Sequence, residues 1–352
     1  DVVRRRLLLS GEQERVELGG KAQWVMANDG GWGFYRVRYQ PELLASLTTA
    51  LDGLDPLERY NLVSDTWASV LAGTTPVADF LSLARLFRDE SDPNVWAALL
   101  ASLAYLDRML EPDDRPLLQA LVRDLAGPAF ERLGWEPRPD EPDTVRVLRS
   151  TLIQALGGLG ADPGVRDTAR RLHDRYLEDP GQVDADVAGA VVGVVAAAGG
   201  ADDHALFVDR YRAAATPQEE IRYLMSLAAF EDVELADRTM ELVRTEVRTQ
   251  NAPSLVSRLL ANRVAGERAW ELLEAHWDEL LGRFPSSLHD RMLEGVTQLS
   301  RPAVAADVHA FLEAHPLPGK ERAVAQLLER LDVAVSFRQR EAPGLADLLG
   351  PS

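Results

Sequence analysis

Gly31-Trp32-Gly33-Phe34-Tyr35-Arg36-Val37-Arg38-Tyr39 is the stretch at which the chain changes character. Along an extended backbone successive side chains point to opposite faces. Phe34, Arg36 and Arg38 then fall on one side, and Tyr35, Val37 and Tyr39 on the other. Upstream, apolar residues recur in short runs: Val2–Leu9, Arg15–Leu18 and Gln23–Ala27. Ser10-Gly11, Gly19-Gly20 and Asn28-Asp29-Gly30-Gly31 separate them, and Asn and Gly accept the positive φ of tight turns. Residues 1–40 are expected to form a small antiparallel β segment, the end of a larger β domain.

From Pro41 onward the period becomes helical. Leu57, Tyr60, Val63, Trp67, Val70 and Leu71 step by three or four, as do Trp270, Leu273, Trp277 and Leu280. Helix starts are marked by Asp55-Pro56-Leu57-Glu58, Thr75-Pro76, Asp92-Pro93, Asp162-Pro163 and Thr216-Pro217-Gln218-Glu219. A short polar side chain caps free N–H groups, and Pro costs nothing where no N–H bond is owed. Gly73, Gly127, Gly157-Gly158 and Gly199-Gly200 are expected to mark ends. The pattern predicts about sixteen helices, most spanning roughly 10–18 residues. Short connections make neighbours antiparallel, and no strict repeat is visible. The expected fold is mainly α: an irregular HEAT- or armadillo-like α-solenoid of antiparallel helix pairs over 41–352. Gly134–Pro142, with three prolines, interrupts the rhythm and reads as a surface loop.

The 352 residues carry 38 Lys and Arg against 56 Asp and Glu, a net charge of −18. Such a surface repels a phosphate backbone, so no nucleic-acid partner is expected. No apolar run reaches the roughly 18 residues of a membrane helix, so no membrane partner is expected either. Val187–Gly200, the longest weakly polar run, reads as a buried helix. With no Cys there is no disulfide and no thiol nucleophile, which fits a cytoplasmic protein. The start, DVVRRRLLLS, has no initiator Met and no apolar core of signal length. It begins inside a strand-like pattern, and the expectation is a piece of a longer protein.

No catalytic, metal or cofactor-binding constellation emerges. His173, His204, His276, His289, His309 and His315 include no His-Glu-x-x-His, and each is expected at the surface or partly buried. Asp202-Asp203-His204 is expected to cap a helix. Gly157-Gly158-Leu159-Gly160 lacks a phosphate-binding Lys, and no Gly-x-Ser-x-Gly is present. The tryptophans at 24, 32, 67, 96, 135, 270 and 277 mostly fit apolar faces. Arg59 and Asp65 sit awkwardly on an otherwise apolar helix. Each either faces solvent or meets a partner from elsewhere, and Arg59 is a candidate buried or interfacial ion.

Trp24-Val25-Met26-Ala27-Asn28 followed by Gly33-Phe34-Tyr35-Arg36-Val37-Arg38-Tyr39 resembles the strand pair ending the β-sandwich domain of the aminopeptidase N family, zinc gluzincin metallopeptidases. Arg59-Tyr60-Asn61-Leu62-Val63-Ser64-Asp65 with Ala72-Gly73 resembles that family's first helical hairpin. Glu90–Trp96 is similar to the next junction. Arg248-Thr249-Gln250-Asn251, Asn262, Ala269-Trp270, Trp277-Asp278 and Gln326–Arg330 follow in the family's order, with Asn251 standing where Asp is commoner. The residues carrying the likeness, with structural roles, are Trp24, Asn28, Gly33, Tyr35, Arg36, Tyr39, Arg59 and Asp65.

The resemblance implies that 1–40 ends a β-sandwich and that 41–352 is a C-terminal helical domain similar to that of the endoplasmic-reticulum aminopeptidases. The family's zinc ligands, general base, amine-anchoring Gly-x-Met-Glu-Asn loop and oxyanion Tyr match nothing here, so no catalytic or metal residue carries over. What is implied is the non-catalytic part of a zinc aminopeptidase that removes N-terminal residues from peptides. It would cap the active site and limit or contact the peptide. Its partners would be its own upstream catalytic and β-sandwich domains, and zinc would sit in the catalytic one. A free-standing α-solenoid scaffold for protein partners is the alternative.

Overall fold

A computed structural model describes residues 3–18 and 20–350. Seventeen α-helices lie among them, from Pro41–Thr48 to Glu321–Leu349. Among the described residues no strand forms, so the expected β segment is not shown, and residues 3–18 and 20–40 run as an arm. Alternating side chains make a strand only where a second backbone ladders alongside. Here the arm's own backbone bond is a turn, Gly31 N–H to Asn28 O at 2.8 Å. That turn has the predicted backbone, with Asn28 at φ 62°, Gly30 at 66° and Gly31 at 69°. The start of the first run and Gly19 lie outside the described residues.

The helix starts follow the capping chemistry. Asp55 and Glu58 form a capping box on the helix Pro56–Leu71. Asp92 accepts from the N–H groups of Asn94 and Val95, Asp162 from Val165 and Thr216 from Glu219. Thr75 is an exception, because the helix Val77–Ala84 begins one residue later with Pro76 in the cap position. Asp203 accepts from Gly200 N–H at 3.2 Å, so Asp202-Asp203-His204 does open a helix.

Gly73 ends its helix at φ 72° as expected, but Gly127 does not. The helix Arg115–Leu133 runs through Gly127-Pro128. An interior Pro costs about 3 kcal/mol. Continuing the helix buries Ala129 and Phe130 and sets Phe130 edge-on to Trp135 at 5.2 Å, a burial worth a comparable amount. Gly157-Gly158 lies in a wider π-helical turn, Ala155–Leu159, which follows the helix Asp143–Gln154. A Cβ on Gly157 would come within 2.5 Å of Val194, so the bare glycine lets the helix Ala185–Ala198 approach.

Helices pack against their neighbours and next-but-one neighbours, as in a solenoid. Asp143–Gln154 and Pro163–Glu178 both lie against Ala185–Ala198, and Pro56–Leu71 lies against Pro93–Asp107. The array also closes. The last helix, Glu321–Leu349, returns to Pro56–Leu71, Val77–Ala84 and Arg115–Leu133. Phe337 meets Tyr105 edge-on at 5.3 Å and Trp67 at 5.7 Å, and Trp67 meets Phe80 at 4.9 Å. Arg340 donates to Val70 O at 2.9 Å. Gly295 marks another close approach, since a Cβ there would sit 2.1 Å from Ser257 O. Gly295→Ala should therefore lower stability by about 1–3 kcal/mol in urea melts, and an unchanged midpoint would refute that contact.

Candidate functional site: the arm clamped on the first helical hairpin

The residues singled out from sequence converge where the arm crosses the helix Pro56–Leu71. Asn28 closes the turn with its side chain, donating from Nδ2 to Gly33 O at 3.0 Å and accepting from Gly33 N–H at 2.6 Å. The Tyr39 hydroxyl accepts from Ala27 N–H at 3.0 Å and donates toward Met26 Sδ at 3.2 Å, tying the two limbs of the arm together. Burial pushes the Tyr39 hydroxyl above the ordinary tyrosine value, so it stays protonated. Trp24 packs half-buried against the core. Tyr35 instead is exposed.

Asp65 is the anchor on the helix side. Its Oδ1 accepts from Arg36 Nη1 at 2.9 Å and its Oδ2 from Val37 N–H at 3.1 Å. Arg36 also donates to Ser64 Oγ at 2.7 Å. Asp65 is buried and Arg36 is solvated, so the carboxylate rather than the guanidinium carries the structural demand. Glu58 adds a second anchor, accepting from Gly30 N–H at 3.2 Å while its other oxygen accepts from Asp55 N–H. The sequence identified Glu58 only as a capping residue. Its hold on a loop 28 positions away had no local signal.

Arg59 reaches from its helix to Glu90. It grips Glu90 bidentately, Nε to Oε2 at 2.6 Å and Nη2 to Oε1 at 2.8 Å, and donates to Leu54 O at 2.6 Å. Glu90 also accepts from the N–H groups of Ser91 and Asp92, and Glu90 O accepts from Trp96 Nε1. Arg59→Ala would leave the buried Glu90 with only backbone donors. The expected cost is about 2–3 kcal/mol, read as a lower melting temperature, and an unchanged melt would exclude the role.

A second polar cluster joins the two halves of the closed array and was not foreseen. Arg115 forks onto Glu231 at 2.6 and 2.7 Å and reaches Asp107 at 3.0 Å, and Arg263 meets the other oxygen of Asp107 at 3.0 Å. Arg115 and Glu231 lie 116 positions apart and Arg263 and Asp107 156, beyond any sequence period.

The histidines require a correction. His173 and His204 are fully buried rather than at the surface or partly buried. His204 bonds Thr239 Oγ1 at 2.8 Å and His173 bonds Tyr223 OH at 3.2 Å. Trp32 also departs from expectation, at 93% exposed, whereas Trp96 and Trp270 lie in the core. Among the described residues no group of three or more His, Cys, Asp or Glu side chains is placed to hold a metal ion. Among them, too, no helix is long and apolar enough to cross a membrane.

This geometry defines a closed helical-array module with a clamped arm. The comparisons give its family. Residues 24–333 match the ERAP1-like C-terminal domain, and the chain belongs to that family. It is 28% identical to aminopeptidase M1-B of Oryza sativa subsp. japonica over 97% of its length, covering 42% of that protein. It is 30% identical to aminopeptidase M1-C of the same plant over 88% of its length, covering 36% of that protein. It is also 26% identical to the alanine/arginine aminopeptidase of Saccharomyces cerevisiae over 97% of its length, covering 41% of that protein. The chain thus spans roughly two-fifths of the length of these relatives.

Proposed function

We propose that this chain is the non-catalytic helical cap of a zinc-dependent aminopeptidase that removes N-terminal residues from peptides. The observation that carries the reading is its membership of a C-terminal domain family together with its partial coverage of aminopeptidases. Catalysis and zinc would belong to an upstream domain. The closed array would wall off the active site, limit peptide length and contact the distal part of the peptide. Residues 1–40 would leave a preceding β-sandwich, whose strands could supply the ladder partners the arm lacks, and 41–352 would form the helical domain. The cysteine-free composition supports a cytoplasmic setting.

The docking face would be the outer side of the arm. Trp32 is 93% and Phe34 109% exposed, and Tyr35 and Leu57 are exposed beside them. Aromatic side chains clustered in solvent are the usual anchors of an interface. The test is to mix the chain with the separately expressed remainder of its parent protein. A one-to-one complex is expected, weakened about tenfold or more by Trp32→Ser with Phe34→Ser. No association between the wild-type pieces would contradict the reading.

A further inference from the structure

A cavity of about 230 Å³ lies where the two halves of the array meet. Four arginines line it, Arg108, Arg263, Arg301 and Arg338, with Glu267 as the acidic residue among its walls. Such a cluster is unexpected in a chain whose net charge is −18. Part of it has an internal explanation. Arg263 donates to Leu110 O at 2.9 Å and Arg338 to Arg108 O, so both hold the turn that follows the helix Pro93–Asp107. Arg338 also donates to Ser300 Oγ at 3.0 Å, and Arg301 lies 3.3 Å from Glu267.

Arg108 has no such explanation. Among the described residues its guanidinium makes no hydrogen bond and has no carboxylate within 4.0 Å. The adjacent Asp107 is already shared between Arg115 and Arg263. Arg108, Arg263 and Arg338 are all held below the ordinary arginine value, first by burial. Like charges gathered in a partly dry cavity repel one another, and an anion among them would relieve both the repulsion and the unused donors. Arginine forks match oxyanions two bonds at a time. The volume exceeds the roughly 30 Å³ share of one water and falls short of the roughly 300 Å³ at which drug-sized pockets begin.

We propose that this cavity binds a compact, doubly charged oxyanion of the phosphate type, held by Arg108 with Arg338 and Arg301. The ion would bridge residues 108–112, 262–267, 298–301 and the last helix, and so stabilise the closure of the array. The same phosphoryl chemistry is presented by free inorganic phosphate and by a small phosphate ester.

The test uses the whole chain at pH 7.5, with equilibrium dialysis and thermal melts. Sodium phosphate, glycerol 3-phosphate and sodium chloride are compared at matched ionic strength. Saturable binding of one phosphate per chain is expected, with a melting temperature that climbs with phosphate and not with chloride. Arg108→Gln should weaken binding about tenfold or more, and Arg138→Gln, on the exposed loop, should leave it unchanged. If Arg108→Gln does not fold, Arg301→Gln reports on the same cavity and should also weaken binding. The tighter of the two phosphates identifies the source. Binding of neither, an equal response to chloride, or wild-type binding by a folded Arg108→Gln would overturn the proposal.

Discussion

Arg149→Met should destabilise the chain by about 3–5 kcal/mol, the largest loss expected from a single polar substitution here. Arg149 lies in the helix Asp143–Gln154 and is fully buried. It holds Glu141 at 2.5 and 2.7 Å and donates to Gly134 O at 3.0 Å. It thereby pins both ends of the proline-rich loop that the sequence marks at 134–142. Gly134 stands at φ 67°, a backbone that only glycine adopts without strain, so the loop leaves its helix in one direction. Methionine fills much of the volume but leaves the Glu141 carboxylate without its ion partner and the Gly134 carbonyl without this donor. Urea melts of wild type, Arg149→Met and the double variant Arg149→Met, Glu141→Leu would separate the effects. The double variant should recover a large part of the loss, because two apolar groups owe no hydrogen bonds. A single variant within 1 kcal/mol of wild type would contradict a buried ion pair.

The second large effect is a loss of stability in acid that comes from two core histidines. Burial holds His173 and His204 down at about 4, and Arg238 adds repulsion on His204. The ordinary value of 6.5 applies once the chain unfolds. Between those values the unfolded chain binds more protons than the folded one. Stability from this source is therefore intact above about pH 6.5 and declines as pH falls toward 4. At 1.36 kcal/mol per pH unit the loss is roughly 2 kcal/mol per histidine by pH 5. Glu274 runs the other way. Burial, then the neighbouring Asp307, pushes it up to about 7, so its folded value is raised. Its contribution is present below about pH 4.5 and lost as pH rises through 7. Urea midpoints from pH 7.5 to 4.5, compared between Glu274→Gln and the same chain carrying His173→Gln and His204→Gln, isolate the histidines. The added substitutions should flatten the acid slope by roughly 4 kcal/mol at pH 5. Parallel slopes would contradict buried neutral imidazoles.

Much of the architecture was legible because its rules are local. Asp92-Pro93 and Asp162-Pro163 start helices where side chain meets free N–H, and Gly73 ends one where φ must be positive. Gly127 misled because burial of Ala129 and Phe130 offsets what an interior proline costs, a balance visible only in three dimensions. The arm is a related case, since period two describes side chains and not the neighbouring backbone that completes a strand. Arg59 and Asp65 could be flagged as charges on an apolar helix, and each does have a cross-element partner. Those partners, Glu90 and Arg36, come from other segments. Closure of the array by Phe337 and Arg340 onto Trp67 and Val70 depends on pairs some 270 residues apart, for which a single sequence holds no signal.

On the proposed function, this chain would shape and cover a reaction centre held by another domain. The direct measurement is release of p-nitroaniline from alanyl-p-nitroanilide by the purified chain in zinc-supplemented buffer, alone and after addition of the remainder of its parent protein. The account predicts no release above the buffer blank for the chain alone, and zinc-dependent release that appears only with the remainder present. Zinc-dependent turnover by the chain alone would contradict it.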